Sequence, residues 1–214
     1  MKNKNLPPLI SRQYQFDIQA QERDNGHTIY GRPIVYESPT DIGGYFREVI
    51  HKGALDETDL RDVRFLVNHD QKGIPLARSR NNNANSTMRF TIGENGAEIA
   101  VDLDTENNVN ARALYSSVER GDISGMSFLF SVAEERWEGL DTDYPTRHID
   151  KIRSVVEVSA VTWPAYNSTE IQARSLEALE NAKKAMEIAK QTEERSTEDD
   201  LELEKLKSHY LYQI

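Results

Sequence analysis

The sequence contains no cysteine among its 214 residues. Without a thiol, it cannot form a disulfide framework, a thiolate zinc site or an iron–sulfur cluster. A cysteine nucleophile is excluded for the same reason. If the protein is an enzyme that forms a covalent intermediate, its nucleophile must be a serine, a threonine, a lysine or a carboxylate.

Long apolar runs and an excess of positive charge are also missing. No apolar stretch approaches the roughly 18–20 residues that a membrane span needs, and no signal-peptide core follows the basic first residues. The 26 lysines and arginines are outnumbered by 36 aspartates and glutamates, which gives a formal charge of −10. A dedicated nucleic-acid binder needs a basic face. We therefore expect a cytoplasmic protein whose partners are neither nucleic acids nor membranes.

Proline and glycine are absent after residue 170, although the whole sequence holds 7 prolines and 11 glycines. This change predicts a globular domain over residues 1–170 and a helical, charged C-terminal tail over residues 171–214. The apolar residues of the tail follow a period of about 3.6 residues: Leu176, Leu179, Ala182, Met186 and Ala189. Because this apolar stripe is narrow, we expect the helix to dock on a partner or on the chain itself. The alternative is a frayed, solvated tail.

The region before residue 170 has the pattern of short strands. Apolar and polar residues alternate, or form short apolar runs, in segments bounded by glycine, proline and asparagine. Strands are predicted at 14–18, 28–36, 45–50, 63–67, 88–92, 97–103, 123–132 and 155–162. One helix is expected from Thr105, as its N-cap, to Gly121, and a shorter one over residues 53–60. These elements predict a mainly β, α+β fold, a closed or nearly closed β-barrel with flanking helices.

A serine and a histidine could supply a nucleophile and its base. His69 follows the strand at 63–67 directly, where a rigid scaffold would hold its side chain. Ser127 lies between Met126 and Phe128 in a predicted strand, so its side chain points to the opposite face from theirs. A free hydroxyl is barely ionised at neutral pH, so it needs an adjacent imidazole to remove its proton. Taken alone, each residue also fits a structural role.

A third group could orient the imidazole and stabilise its protonated form. Glu157 interrupts an apolar strand, where a buried carboxylate is costly unless it is paired. An edge strand with Glu157 in solvent is the structural alternative. Asp70 and His148 compete for the same role, and Asp70 ranks lowest because it would have to fold back onto its neighbour.

An ordered set of segments resembles the prohead maturation proteases of tailed bacteriophages, which are serine peptidases related to herpesvirus assemblin. The resemblance covers residues 14–170. No single segment is specific, but the ordered set is. The segments are GRPIVY at 31–36, GYFRE at 44–48, VNHD at 67–70, GDISGMSF at 121–128 and EVSAVTWPAY at 157–166.

The resemblance implies a herpesvirus-protease-like barrel and assigns roles to three residues. Ser127 would be the nucleophile and His69 the general base, and Ser124 would only be a neighbour. Glu157 is assigned as the third member, with His148 as its rival. The sequence departs from the family pattern at Leu129, where relatives often have glycine.

The function implied is that of a prohead maturation endopeptidase, without metal or cofactor. It would cleave the scaffolding segment of the major capsid protein, and itself, inside the assembling procapsid in the host cytoplasm. A homo-oligomer or dimer is expected. The tail could target the protease to the shell and be cut off near Ala173. The alternative function is a capsid scaffolding or interaction protein without catalytic activity.

Overall fold

The computed structural model describes residues 10–14, 18–23, 26–162 and 176–192, together with residues 195, 202 and 205. Most of the described secondary structure is extended, as the alternating pattern predicts. The strands are β1 (Ile10–Tyr14), β2 (Gln19–Arg23), β3 (Gly26–Val35), β4 (Thr40–Ile42), β5 (Phe46–Ile50), β6 (Val63–Val67), β7 (Ala77–Ser79), β8 (Met88–Gly93), β9 (Gly96–Leu103), β10 (Gly125–Glu138) and β11 (Thr146–Val161). The helices are α1 (Val109–Glu119) and α2, over residues 176–192.

A seven-stranded sheet is built around the long antiparallel pair of β10 and β11. Its order is β1-β10-β11-β5-β4, and β6 pairs with β11 on one side and β7 on the other. The 16 residues of β11 are long enough to pair in parallel with two shorter strands in succession. β5 runs beside its first part and β6 beside its last part. The end of β6 is therefore held against the end of β11.

A second sheet of four strands, in the order β2-β3-β9-β8, packs against the first. Buried residues of both sheets and of α1 belong to one apolar core, for example Ile29, Val101, Phe128 and Leu114. Gly31 and Pro33 of β3 favour a bulge or an edge position, and the register of β3 against β9 shifts between Gly31 and Ile34. The segment from Gly93 to Gly96 favours a tight turn, and the β8–β9 hairpin turns there through Glu94 and Asn95, with Gly93 paired to Gly96.

The closed barrel is not found among the strands of the described residues. The seven-stranded sheet has β1 and β4 at the ends of its main path, and the four-stranded sheet ends at β2 and β8. The mainly β, α+β class is confirmed. The difference arises because alternation shows which residues share a face, whereas closure depends on which strands pair.

Two local predictions are wrong. The N-cap of α1 is Asn108, whose side chain accepts hydrogen bonds from the backbone N–H groups of Asn110 and Ala111. Thr105, which the sequence predicts as the cap, instead contacts His27: its Oγ1 atom lies 2.6 Å from Nδ1 of the imidazole. Residues 53–60, predicted as a short helix, form a succession of turns.

Of the predicted tail over residues 171–214, the structure describes α2 and the helical residues 195, 202 and 205, and the tail as a whole stays a prediction. Leu179 is buried, and Lys184 lies within 3.9 Å of Glu180, one helical turn away. The predicted boundary at residue 170 and most of the tail after residue 192 lie outside the described residues. Among the helices of the described ranges, none is long and apolar enough to cross a membrane.

A buried ion pair joins the start of β11 to β5. The Arg147 guanidinium lies 3.1 Å from Oε2 of Glu48, and both side chains are almost fully buried. Glu135 of β10 contacts the same guanidinium at the edge of the sheet. This pair fixes the pairing of the three strands at the end opposite to residues 157–161.

We expect Arg147→Met to lower the free energy of unfolding by about 3–5 kcal/mol, because the Glu48 carboxylate stays buried after losing its cation. Urea denaturation measures this change. The double variant with Glu48→Leu should recover most of the loss. Arg120→Met removes the exposed pair with Asp122 and should cost about 1 kcal/mol or less. Equal losses in the Arg147 and Arg120 variants would contradict the prediction.

Candidate active site

β10 places Ser127 on the face of the sheet opposite to the apolar core. Its neighbours Met126 and Phe128 point into the core, as alternation along a strand requires. Ser127 is fully buried. Its strand partner on β11 is Ser159. The serine therefore lies in the middle of a sheet, where the backbone on both sides is held by strand pairing.

His69 is presented by a sharp turn at the end of β6. Asn68 and His69 both adopt left-handed backbone conformations, with φ of 50° and 58°. The N–H of Asn68 still donates to the carbonyl of Ala160, whereas the N–H of His69 donates to Oγ of Ser159 at 3.1 Å. The Asn68 side chain accepts the backbone N–H of Thr162 at 3.0 Å. These bonds tie the turn to the end of β11.

The carboxylate of Glu157 lies beneath the imidazole. Its Oε1 atom is 2.7 Å from Nδ1 of His69 and accepts the hydroxyl of Ser159 at 2.8 Å. The Glu157 side chain is 3% exposed. Its Oε2 atom is buried and has no hydrogen-bond partner among the described residues. The sequence alternative, an edge strand with Glu157 in solvent, is therefore not what the structure shows.

The second ring nitrogen of His69, Nε2, lies 2.7 Å from Oγ of Ser127. A carboxylate can only accept hydrogen bonds, so the proton of a neutral His69 belongs on Nδ1, facing Glu157. Nε2 then carries no proton and accepts a hydrogen bond from the Ser127 hydroxyl. The structure thus brings together three residues from β10, β11 and the turn after β6, and their geometry suits removal of a proton from a serine nucleophile.

The competing residues lie elsewhere. The Asp70 carboxylate accepts the backbone N–H groups of Lys72 and Gly73 in the following turn. Ser124 is exposed, before β10 begins. His148 lies on the same strand as Glu157 but nine residues earlier, roughly 30 Å along an extended chain.

His148 belongs to a separate group of polar residues at the other end of β11. Its Nδ1 atom lies 2.9 Å from Nε2 of His51, and its Nε2 atom lies 3.2 Å from Glu138. His51 in turn contacts the carboxylate of Glu37 at 3.1 Å. The backbone N–H of Lys52 and the hydrogen bond from His51 hold the pKa of Glu37 below its usual value.

Ser159 is the residue of this site that the sequence reasoning does not single out. It contacts both Glu157 and the backbone of His69, and it is fully buried. The spacing of polar residues in the sequence does indicate Ser159. Ser159 stands two residues after Glu157 in an apolar strand, so both polar side chains must share one face.

Two grooves border the loop over residues 70–76 that follows His69. The first has a volume of about 540 Å³ and reaches Glu157. The second has a volume of about 500 Å³ and runs between the loop and α1. Apolar side chains line much of both grooves: Leu66, Pro75 and Leu129 in the first, and Leu66, Val67, Ile74, Leu76, Ala113, Leu114 and Ile123 in the second. The first groove touches Glu157, and the second touches Asn68 and Asp70 on either side of His69. Both offer space for a polypeptide.

The model of the family described as Caudovirus prohead serine protease matches residues 14–185. The chain belongs to this family, and it is a serine endopeptidase of phage capsid maturation. No curated protein matches the chain. Among solved structures, the chain is similar to the capsid assembly protease gp21 of bacteriophage T4, with a TM-score of 0.42 and 14% sequence identity over 74% of this chain and 99% of the T4 chain.

Proposed function

We propose that Ser127 is the nucleophile of this protease, His69 its general base and acid, and Glu157 the carboxylate that orients His69. One observation carries the proposal. An unbroken path of two contacts, each 2.7 Å long, runs from the Ser127 hydroxyl through the His69 ring to the Glu157 carboxylate. Because Glu157 is buried, its charge acts on the imidazole with little screening by water.

In the proposed reaction, Oγ of Ser127 attacks the scissile carbonyl carbon while Nε2 of His69 takes its proton. The imidazolium that forms is stabilised by the negative charge of Glu157. His69 then gives the proton to the leaving amine as the peptide bond breaks. Water, activated by the same imidazole, hydrolyses the acyl-enzyme and restores the Ser127 hydroxyl.

The substrate has to reach a hydroxyl that is fully buried in this conformation. His69 is about one quarter exposed at the side-chain level, whereas Ser127 is 0% exposed. Binding of a peptide therefore requires a rearrangement of the groups that cover Oγ. The two grooves beside the 70–76 loop are where we place the polypeptide on either side of the scissile bond.

The substrates that we propose are the scaffolding segment of the major capsid protein and the protease chain itself, within the procapsid in the host cytoplasm. The tail over residues 171–214 would target the protease domain to the shell and be removed afterwards. Its cleavage zone near Ala173 lies outside the described residues. A homo-oligomeric state and a distant relation to herpesvirus assemblin belong to the same proposal, and both rest on the resemblance of the sequence segments.

A fluorophosphonate probe tests the nucleophile directly. Its phosphorus would form a bond to Oγ of Ser127 as fluoride leaves, and His69 would take the hydroxyl proton. We expect one adduct per chain in the wild type, assigned to Ser127 by peptide mass spectrometry. The Ser127→Ala chain should remain unlabelled.

A Ser124→Ala chain is the matched control, because Ser124 is an exposed serine three residues before Ser127. It should label at the wild-type rate. A label at any other serine, or no label in a folded wild-type chain, would count against the proposed nucleophile.

A further inference from the structure

Ser159 uses both hydrogen-bonding capacities of its hydroxyl on two different members of the site. Its Oγ atom accepts the backbone N–H of His69 at 3.1 Å and donates to Oε1 of Glu157 at 2.8 Å. Ser159 is fully buried, so water cannot replace either bond without opening the sheet.

The bond to His69 falls at the point where the chain leaves the sheet. Up to Asn68, the chain follows the parallel pairing with β11, and the N–H of Asn68 donates to the backbone carbonyl of Ala160. Asn68 and His69 both lie in the left-handed region, which is sterically unfavourable for a residue with a side chain. The N–H of His69 then meets a side-chain hydroxyl in place of a carbonyl. Ser159 therefore holds the backbone that aims the imidazole at Ser127.

The bond to Glu157 fixes the rotation of the carboxylate group beside the imidazole. The terminal torsion of a glutamate is broad and weakly restricted. The Ser159 hydroxyl and Nδ1 of His69 converge on the same oxygen, Oε1. Oε2, by contrast, has no hydrogen-bond partner among the described residues. Ser159 thus places the negative charge opposite Nδ1 of His69.

We infer that Ser159 is a positioning residue of this protease, coupling the backbone of the general base to the carboxylate that orients it. This inference rests on the roles proposed for Ser127, His69 and Glu157. It predicts a specific kinetic effect. Removing the hydroxyl disturbs the alignment of His69 with Ser127, which slows the chemical step. Ser159 lines neither groove, so we expect the binding of the probe to stay unchanged.

The test compares inactivation of the full chain by the fluorophosphonate probe in Ser159→Ala and Ser131→Ala variants. Ser131 is the matched control, since its Oγ lies 2.9 Å from Oγ of Ser154 across the same two strands, away from the site. We expect the first-order inactivation constant of Ser159→Ala to fall about 10- to 100-fold, the effect of losing a hydrogen bond to a charged group. The concentration for half-maximal inactivation should not change. Ser131→Ala should match the wild type in both.

Two further measurements separate positioning from loss of folding. Ser159→Thr keeps a hydroxyl at the same atom and should recover most of the rate lost in Ser159→Ala. The downfield proton resonance of the His69 Nδ1–H, hydrogen-bonded to Glu157, should be present in wild type and Ser131→Ala and be shifted or broadened in Ser159→Ala.

Some results would overturn the inference while leaving the proposed function intact. The first is that the wild-type chain is labelled at Ser127 and the folded Ser159→Ala chain reacts as fast as the Ser131→Ala chain. A Ser159→Ala chain whose half-maximal concentration rises while its rate constant is unchanged is another, because it would indicate a role in binding. A wild-type chain that the probe does not label would instead contradict the proposed function itself.

Discussion

Capsid protein produced together with the Ser127→Ala chain is expected to keep its scaffolding segment, whereas the wild-type chain is expected to remove it. We expect cleavage to slow by about 10⁶-fold, the effect of removing the nucleophile from a serine protease with a serine–histidine–aspartate triad. His69→Ala should have an effect of the same order, because without the imidazole nothing takes the proton from the hydroxyl. Gel analysis and intact mass of the capsid protein measure the trimming.

The same preparation reports on self-cleavage. The wild-type chain should lose mass corresponding to its tail during incubation, and the Ser127→Ala chain should keep its full mass. Ser124→Ala serves as the control that should trim both substrates normally. Trimming that survives in a folded Ser127→Ala or His69→Ala chain would contradict the role of that residue.

Glu157→Gln is expected to lower kcat by about 10³- to 10⁴-fold at nearly unchanged KM. The glutamine amide is close in shape to the carboxylate but carries no charge, so the imidazolium formed during attack loses its stabilising partner. If the amide NH₂ faces His69, it also forces the proton of the ring onto Nε2, which then cannot accept the Ser127 proton. Steady-state cleavage of a purified capsid-protein substrate measures both constants.

Stability should respond differently from activity in this variant. Glutamine is neutral and close in volume to glutamate, so the substitution adds no unpaired buried charge, and the free energy of unfolding should change by about 1 kcal/mol or less. Glu134→Gln, which removes an exposed ion pair with Lys151, is the control for a charge change on the same sheet. A Glu157→Gln chain with wild-type kcat would contradict the proposed role of the carboxylate.

Several features could be predicted from the sequence because they depend on local periodicity. Alternation along β10 places Phe128 in the core and Ser127 on the opposite face. The register shift after Gly31 and the β8–β9 hairpin occur where glycine, proline and asparagine favour a bulge, an edge position or a turn. His69 could be recognised as a candidate for the same reason, because the alternating residues of β6 and the place where that alternation stops can both be read from a short stretch of sequence.

Other features depend on which strands pair, and local periodicity carries no information about that. β11 pairs antiparallel with β10 and parallel with β6. Only this arrangement places Ser159 beside both Glu157 and the turn at His69. The length of β11, which runs from Thr146 to Val161, separates His148 from Glu157, although the sequence left His148 open as a third member.

The sequence by itself therefore determined the chemistry that is available: no thiol, one histidine at a strand end, one serine facing away from the core and one carboxylate in an apolar strand. The tertiary structure decided which of these groups meet. The physical reason is that hydrogen bonds of 2.7 Å between residues 58 and 88 positions apart are set by strand register, and a shift by a single residue would turn Ser127 or Glu157 to the other face of the sheet.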